Sequence, residues 1–273
     1  MKQQTLFLRN DFKKAWQDRD PHQLLEGMDG EVYRDLEARR TFRFELNGSG
    51  FFAKVHRGVG WLEIVENLVR FRLPVLGARN EWEALNRLHE LGIKTMTPVA
   101  FGEKGQNPAK QHSFLVTEEL AGMWTLEDFC DQWKTSPPPF RLKRALVKKL
   151  AEITRTLHEN GINHRDYYLC HFMLPKSPFP DPDNLSFYLI DLHRAQIRSK
   201  LPVRWRLKDL SGLYFSAMDY GFTRRDLYWF IRVYTGLPLR EALGKFERMW
   251  RKIENKAEKL YQRMQRKIGH PNY

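Results

Sequence analysis

Two stretches of period-two alternation, Glu31-Val32-Tyr33-Arg34 and Thr41-Phe42-Arg43-Phe44-Glu45-Leu46, predict half-buried strands early in the chain. Asn47-Gly48-Ser49-Gly50 follows at once, and Asn-Gly accepts the positive φ values that a tight hairpin turn needs. Phe51 to His56 is then the returning strand. A helix is predicted from about Glu81 to Leu91, closed by Gly92, and Phe114-Leu115-Val116-Thr117 reads as a further strand. Glu118-Glu119-Leu120 reads as a hinge, and Ser136-Pro137-Pro138-Pro139 as a rigid spacer. From Arg141 to His158 the residues Leu142, Ala145, Leu146, Leu150, Ile153 and Leu157 recur at helical spacing, with Gly161 as the C-terminal cap. A last long helix is predicted from about Arg240 to Ile268, with Leu243, Phe246, Trp250, Ile253, Ala257, Leu260 and Met264 on one stripe. Residues before Glu31 read as a short polar segment. Strands, one helix, more strand and then helices predict an α+β chain in two lobes, 1–117 and 121–273, joined by the hinge 118–120.

The candidate chemistry falls between the predicted helices of the second lobe. His164-Arg165-Asp166 is followed by His171 and then by the apolar approach Leu189-Ile190 to Asp191. Two aspartates on neighbouring loops meet the needs of phosphoryl transfer, which asks for one carboxylate to orient the attacking hydroxyl and one to hold magnesium on the phosphates of ATP. The pattern predicts a protein-kinase-like bilobal fold. Asp166 is the candidate catalytic base. Asp191 is the first candidate magnesium ligand, and His171 stands where kinases commonly place a metal-binding Asn. A neutral imidazole is a poor magnesium ligand, and hydrogen bonding to Asp166 is its other reading. Leu192-His193 replaces the usual Phe-Gly, and without that glycine the loop lacks backbone freedom for switching, so constitutive activity is expected.

Lys54 lies mid-strand, where a lysine calls for a partner, and the expected role is to hold nucleotide phosphates together with a helix glutamate. Of Glu81 and Glu83, only Glu81 shares the stripe of Ala84, Leu85 and Leu88, so Glu81 is chosen. Asn47-Gly48-Ser49-Gly50 is too close to Lys54 to be a phosphate loop. By position that loop is Glu37-Ala38-Arg39-Arg40-Thr41, which has no glycine and would use side chains. Cys170-His171 is not read as a nucleophile pair, because adjacent residues on one loop point apart. Asp209 is expected to open a helix and to brace the His164-Arg165-Asp166 loop from below. Arg204-Trp205-Arg206 reads as an anion-binding loop near the acceptor.

Charge adds a partner to this picture. The net charge is +13, and from Arg198 to Tyr273 there are 18 Lys and Arg against 7 Asp and Glu. Such a basic region predicts a polyanionic partner, with a solvated helical face as the plain alternative. No base-reading motif accompanies it, so no nucleic acid is expected. No apolar run is long enough to span a bilayer, no signal peptide is read at the start, and Cys130 and Cys170 form no disulfide framework, so a cytoplasmic location is expected.

His164-Arg165-Asp166-x-Tyr168-x-Cys170-His171-Phe172 joined to Asp191-Leu192-His193-Arg194-Ala195 is more specific than the triplet alone. With Lys54-Val55-His56-Arg57-Gly58, Pro74-Val75-Leu76-Gly77-Ala78, Phe101-Gly102-Glu103-Lys104-Gly105 and Leu213-Tyr214-Phe215-Ser216, the chain resembles the lipopolysaccharide core heptose(I) kinase family over nearly its whole length. The resemblance implies ATP-dependent phosphorylation of the first inner-core heptose at O-4, with Asp166 at the family's catalytic aspartate. It implies action on a lipid A-linked glycolipid at the anionic inner face of the inner membrane, and a link to acyl carrier protein, an acidic partner. Tyr167 stands where relatives are expected to have Cys, and its place beside Asp166 predicts an effect on acceptor fit. The competing readings are a kinase for a Kdo residue or a protein tyrosine, and a catalytically inactive scaffold.

Overall fold

The computed structural model describes residues 5–36, 38–58, 60, 61, 65, 69 and 77–269. Glu37 of the expected phosphate segment and Pro74-Val75-Leu76 of the family pattern lie outside the described residues. The chain divides into two compact units. One is Met1–Ala121 together with Asp191–Arg194, and the other is Gly122–Ile190 together with Ala195–Tyr273.

The first unit is built on a six-stranded antiparallel sheet. Its strands are β1 (Thr5–Leu8), β2 (Glu31–Leu36), β3 (Arg39–Leu46), β4 (Ser49–His56), β5 (Pro98–Lys104) and β6 (His112–Glu118). They run in the spatial order β1-β5-β6-β4-β3-β2. The β3–β4 turn has Asn47 at φ 52° and Gly48 at φ 77°, the geometry that Asn-Gly supplies cheaply. Alternation on β3 and β4 puts Phe42, Phe44, Phe51, Ala53 and Val55 into one core. That core is completed by the segment expected to be only a polar lead-in. Helices α1 (Asn10–Ala15) and α2 (Pro21–Glu26) contribute Phe12 and Leu25, both fully buried. Trp16 joins them just past α1, and β1 pairs with β5 at the sheet edge. Against the sheet lies α3 (Arg79–Glu90), whose Trp82 stacks on Phe101 at 4.6 Å.

Two buried histidines in this unit set a pH dependence. Burial, reinforced by Lys104, lowers the pKa of His22 to about 4. Burial, reinforced by Arg39 and Lys54, lowers that of His56 to about 3. Unfolded, each takes up a proton near its ordinary pKa of 6.5. The unfolded chain therefore binds more protons between those limits, and stability is full above about pH 6.5 and falls as the pH drops toward 3. The loss is expected to be on the order of a few kcal/mol. Urea midpoints measured from pH 7 to pH 4 should fall, and His56→Leu should flatten the slope. An unchanged slope in that variant removes His56 as a cause.

The second unit is mostly helical. Its main helices are α4 (Leu126–Asp131), α5 (Phe140–Glu159), α6 (Val203–Ala217), α7 (Arg224–Thr235), α8 (Leu239–Lys245) and α9 (Glu247–Gly269). Short strands β7 (Met123–Thr125), β9 (Phe172–Pro175) and β10 (Tyr188–Leu189) form one small sheet. The strands β8 (Ile162–Asn163) and β11 (Gln196–Ile197) pair separately. Asn160 caps α5, and Gly161 sits one residue beyond at φ 75°. A Cβ at Gly161 would stand 1.7 Å from the carbonyl oxygen of Arg198, so only glycine lets the two chain segments approach. The single helix expected over 240–268 is in fact two, broken at Phe246. Gly244 weakens the last turn of α8, and from beyond the break the indole Nε1 of Trp250 donates to the Ala242 carbonyl at 3.0 Å, alongside the helical bond that this carbonyl accepts from the Phe246 N–H. Between α5, α6, α7 and α9 lies a largely apolar cavity of about 300 Å³, lined by Leu150, Leu210, Phe230, Trp250 and Ile253 among others.

Candidate active site

The candidate residues fall in both units. In the first, Lys54 sits on β4 opposite Thr41 of β3 and Leu115 of β6. Its Nζ donates to Glu81 Oε1 at 2.5 Å, with the lysine side chain 15% exposed and the glutamate 1%. A buried carboxylate stripped of its cation is costly, so the pair holds the lysine ammonium in one place. Glu81 reaches it because α3 turns Glu81, Ala84, Leu85 and Leu88 toward the unit's interior. Glu83 points outward, 48% exposed and 3.6 Å from Arg79.

Of the expected phosphate segment, Ala38 lies in the turn between β2 and β3 and the rest that is described is strand. Arg39, Arg40 and Thr41 are the first residues of β3 and pair with His56, Val55 and Lys54. Arg40 is spent on structure, because its guanidinium donates to the carbonyls of Glu26 and Met28 and lies 4.4 Å over the Phe42 ring. Arg39 Nε is buried without a hydrogen-bond partner.

Asp191 belongs to the same unit. It adopts φ 61°, a left-handed conformation uncommon for a non-glycine residue. Strain of this kind persists where the surroundings over-determine it, often at functional sites. His193 Nδ1 donates to Asp191 Oδ1 at 2.6 Å, and the 3₁₀ turn Leu192–Arg194 packs on α3 through the fully buried Leu192. Sequence reasoning missed His193 as the partner of Asp191. Its one signal was a histidine two residues on, at the position where a glycine was expected.

In the second unit, β8 delivers the chain to His164-Arg165-Asp166. Asp209, 1% exposed, accepts from the His164 N–H at 2.8 Å and from the Arg165 N–H at 2.9 Å. The brace was expected, but its place was not: Asp209 lies in the middle of α6, which begins at Val203. Arg165 is held at φ 75° between these contacts. The next element tightens the loop from the other side. His171 Nδ1 donates to the Asp166 carbonyl at 2.6 Å, and His164 Nε2 donates to the Ile190 carbonyl at 2.9 Å. The two imidazoles stack at 5.5 Å. A proton on Nδ1 of a neutral His171 leaves the lone pair on Nε2, the atom able to meet a cation.

Tyr167 corrects an expectation. It is 1% exposed, its hydroxyl shares a 2.8 Å hydrogen bond with Thr154 on α5, and its ring meets Phe172 edge-on. Burial raises its pKa far above that of a free phenol and keeps it protonated. Its side chain is a buried core element that ties the loop to α5.

Among the described residues, no group of three or more His, Cys, Asp or Glu gathers as a metal cage. Magnesium bound through one or two carboxylates, substrate phosphates and water needs no such cage, and the part-exposed carboxylate of Asp191 suits that role.

These features can be set beside known proteins. The profile of the lipopolysaccharide kinase (Kdo/WaaP) family matches residues 23–234. The chain is 53% identical over 261 residues to the lipopolysaccharide core heptose(I) kinase WaaP of Pseudomonas aeruginosa, covering 96% of this chain and 97% of that protein. It is 46% identical over 260 residues to the protein of the same name from Escherichia coli, covering 95% and 98%. A solved structure of WaaP in complex with acyl carrier protein superposes with a TM-score of 0.83 at 49% identity, covering 94% of this chain and 99% of that one. Matched by the profile over most of its length and by these relatives almost end to end, the chain belongs to the lipopolysaccharide kinase (Kdo/WaaP) family.

Proposed function

We propose that the chain transfers the γ-phosphoryl group of ATP to the O-4 hydroxyl of the first heptose of the lipopolysaccharide inner core. The carrying observation is a kinase catalytic loop, braced by Asp209, in a chain about half identical to named heptose(I) kinases along nearly its full length. In this reading Asp166 orients the heptose hydroxyl and receives its proton. Lys54, held by Glu81, contacts the α- and β-phosphates. Asp191, oriented by His193, is the magnesium ligand, with His171 Nε2 as the second candidate. Magnesium, when bound, neutralises charge on the phosphates and aligns the group to be transferred. An inactive scaffold would have no physical need for a buried Lys54–Glu81 pair and two strained loop positions at Arg165 and Asp191.

The reading extends to where the chain acts and with what. No described helix is long and apolar enough to cross a membrane, and peripheral attachment at the anionic inner face of the inner membrane follows from the basic Arg198–Tyr273 region. Acyl carrier protein is the proposed protein partner. The similar solved structure contains one, and an acidic carrier complements 18 Lys and Arg set against 7 Asp and Glu.

Labelled ATP incubated with dephosphorylated core oligosaccharide should give one phosphate at heptose O-4, read by mass spectrometry and NMR. Lys54→Met should lower kcat/KM for ATP by about 10²-fold, since it removes a preorganised cation. Phosphate found on Kdo, on protein tyrosine or on no acceptor overturns the heptose reading.

A further inference from the structure

The stretch Arg198–Lys208 holds five Lys or Arg and no Asp or Glu. The fold gathers most of this charge on one indole. The charged centres of Arg198, Arg204 and Lys208 lie 5.4, 5.2 and 6.0 Å from the centroid of Trp205. A fourth cation, Arg165, lies 5.4 Å from the same ring and is the residue before Asp166. An aromatic face attracts a cation only modestly, and cations brought this close to each other repel. Such a group is more stable with an anion among its members.

The protein supplies no such anion to two of the four. Arg198 donates to the neutral oxygens of Asn163 and Gln196, and neither Arg198 nor Arg204 forms an ion pair with a described carboxylate. Partial burial and the charge of Arg204 hold the pKa of Arg198 below its ordinary value, as expected where a cation lacks a counter-charge. Two further features add positive potential or unused donors. Arg204 and Trp205 stand in the first turn of the 15-residue helix α6, whose N-cap Pro202 provides no side-chain cap. The indole Nε1 of Trp205 is buried without a hydrogen-bond partner.

We propose that Arg198, Arg204, Trp205 and Lys208, with Arg165, form an oxyanion site that receives a carboxylate or phosphate group carried by the acceptor glycan. That the ligand belongs to the acceptor rests on the heptose kinase reading, whereas the anion site itself does not. Arg165 shares its loop with Asp166, and the Asp209 brace holds the backbone N–H of Arg165. An anion captured here is therefore tied to the loop that orients the hydroxyl. The site selects and positions a charged acceptor and takes no part in the bond-making step.

The site can be read directly in full-length protein labelled with 5-fluorotryptophan, the Trp205 resonance being assigned with Trp205→Phe. At constant ionic strength, inorganic phosphate or acetate should shift that resonance with saturation. Arg204→Met should weaken the effect about tenfold, as loss of one charge-assisted contact predicts. Arg204 is exposed, so the variant tests binding without endangering the fold, and Lys148→Met on the surface of α5 serves as a charge control. No saturable shift with either anion, or equal shifts in wild type and Arg204→Met, overturns the site.

A kinetic arm identifies the source of the anion. Core oligosaccharide lacking the heptose phosphate is offered with its other anionic groups intact, with its remaining phosphates removed, or with its carboxylates reduced. Arg204→Met should raise KM about tenfold for forms bearing the recognised group, with kcat within twofold, and should leave KM unchanged for the form lacking it. Equal losses on all three forms overturn the proposal in favour of a structural role. If wild type phosphorylates none of them, the heptose reading fails, while the fluorine titration still decides the site.

Discussion

Asp166→Asn is expected to lower kcat for phosphoryl transfer by about 10²- to 10⁴-fold, the range seen when a positioned general base is removed. The amide keeps the size and shape of the carboxylate and loses the ability to take a proton from the attacking hydroxyl. The loop should not move. Its brace is made by the backbone N–H groups of His164 and Arg165 on Asp209, and the contact from His171 reaches the Asp166 carbonyl oxygen, which the substitution keeps. KM for ATP should therefore stay within about twofold while kcat falls, the pattern of an interaction realised in the transition state, and the melting curve reports whether the fold is kept. Steady-state kinetics alongside a melting curve separate the outcomes. Full transfer by Asp166→Asn would remove Asp166 from the mechanism, and a large fall in melting temperature would recast it as a structural carboxylate.

Asp209→Ala should be the most destabilising single change near the site, costing about 3–5 kcal/mol as for a buried charged partner that is removed. Both carboxylate oxygens accept from backbone N–H groups, and the residue is 1% exposed. Alanine leaves two buried donors unsatisfied and a gap inside α6. A loss of that size is a large share of the 5–15 kcal/mol by which folded domains exceed their unfolded chains. Asp209→Asn should be only partly rescued, since its amide offers one acceptor and turns a donor toward the second N–H. Urea denaturation of the three proteins gives the ranking, and activity should fall in the same order, because Arg165 loses the contact that holds φ at 75°. Equal midpoints for wild type and Asp209→Ala would show that water replaces the brace.

Much of the fold was legible because its signals are local. The Asn47-Gly48 turn, the alternation on β3 and β4, and the apolar spacing of α5 each need only neighbouring residues to be read. The choice of Glu81 over Glu83 was also local, resting on which side of one helix is apolar. The misreadings share a different cause. Helices α1 and α2 have six residues each, too few for a helical period to show, although Phe12 and Leu25 complete the core. β5 is buried over four consecutive residues, from Val99 to Gly102, so it shows no alternation. The break at Phe246 leaves the apolar stripe intact on both sides, and the contact that spans it, from the Trp250 indole to the Ala242 carbonyl, exists only in the fold. Arg39 to Thr41 carry phosphate-binding residue types, yet the register with His56, Val55 and Lys54 makes them strand.

By itself the sequence determined the residue types of the chemistry and their order: a strand lysine, a helix glutamate, two loop aspartates and the basic stretch after Arg198. Those follow from composition and spacing, which a chain carries whether or not it is folded. Tertiary structure alone decided which groups meet. It set His193 on Asp191, Asp209 beneath two backbone N–H groups 44 and 45 residues away, and Tyr167 in the core against Thr154. It also drew Arg165, Arg198, Arg204 and Lys208 onto one indole. The physical reason is that hydrogen bonds and charge clusters depend on distance in space, and a helix or a sheet register can bring together residues whose separation along the chain says nothing of their separation in the fold.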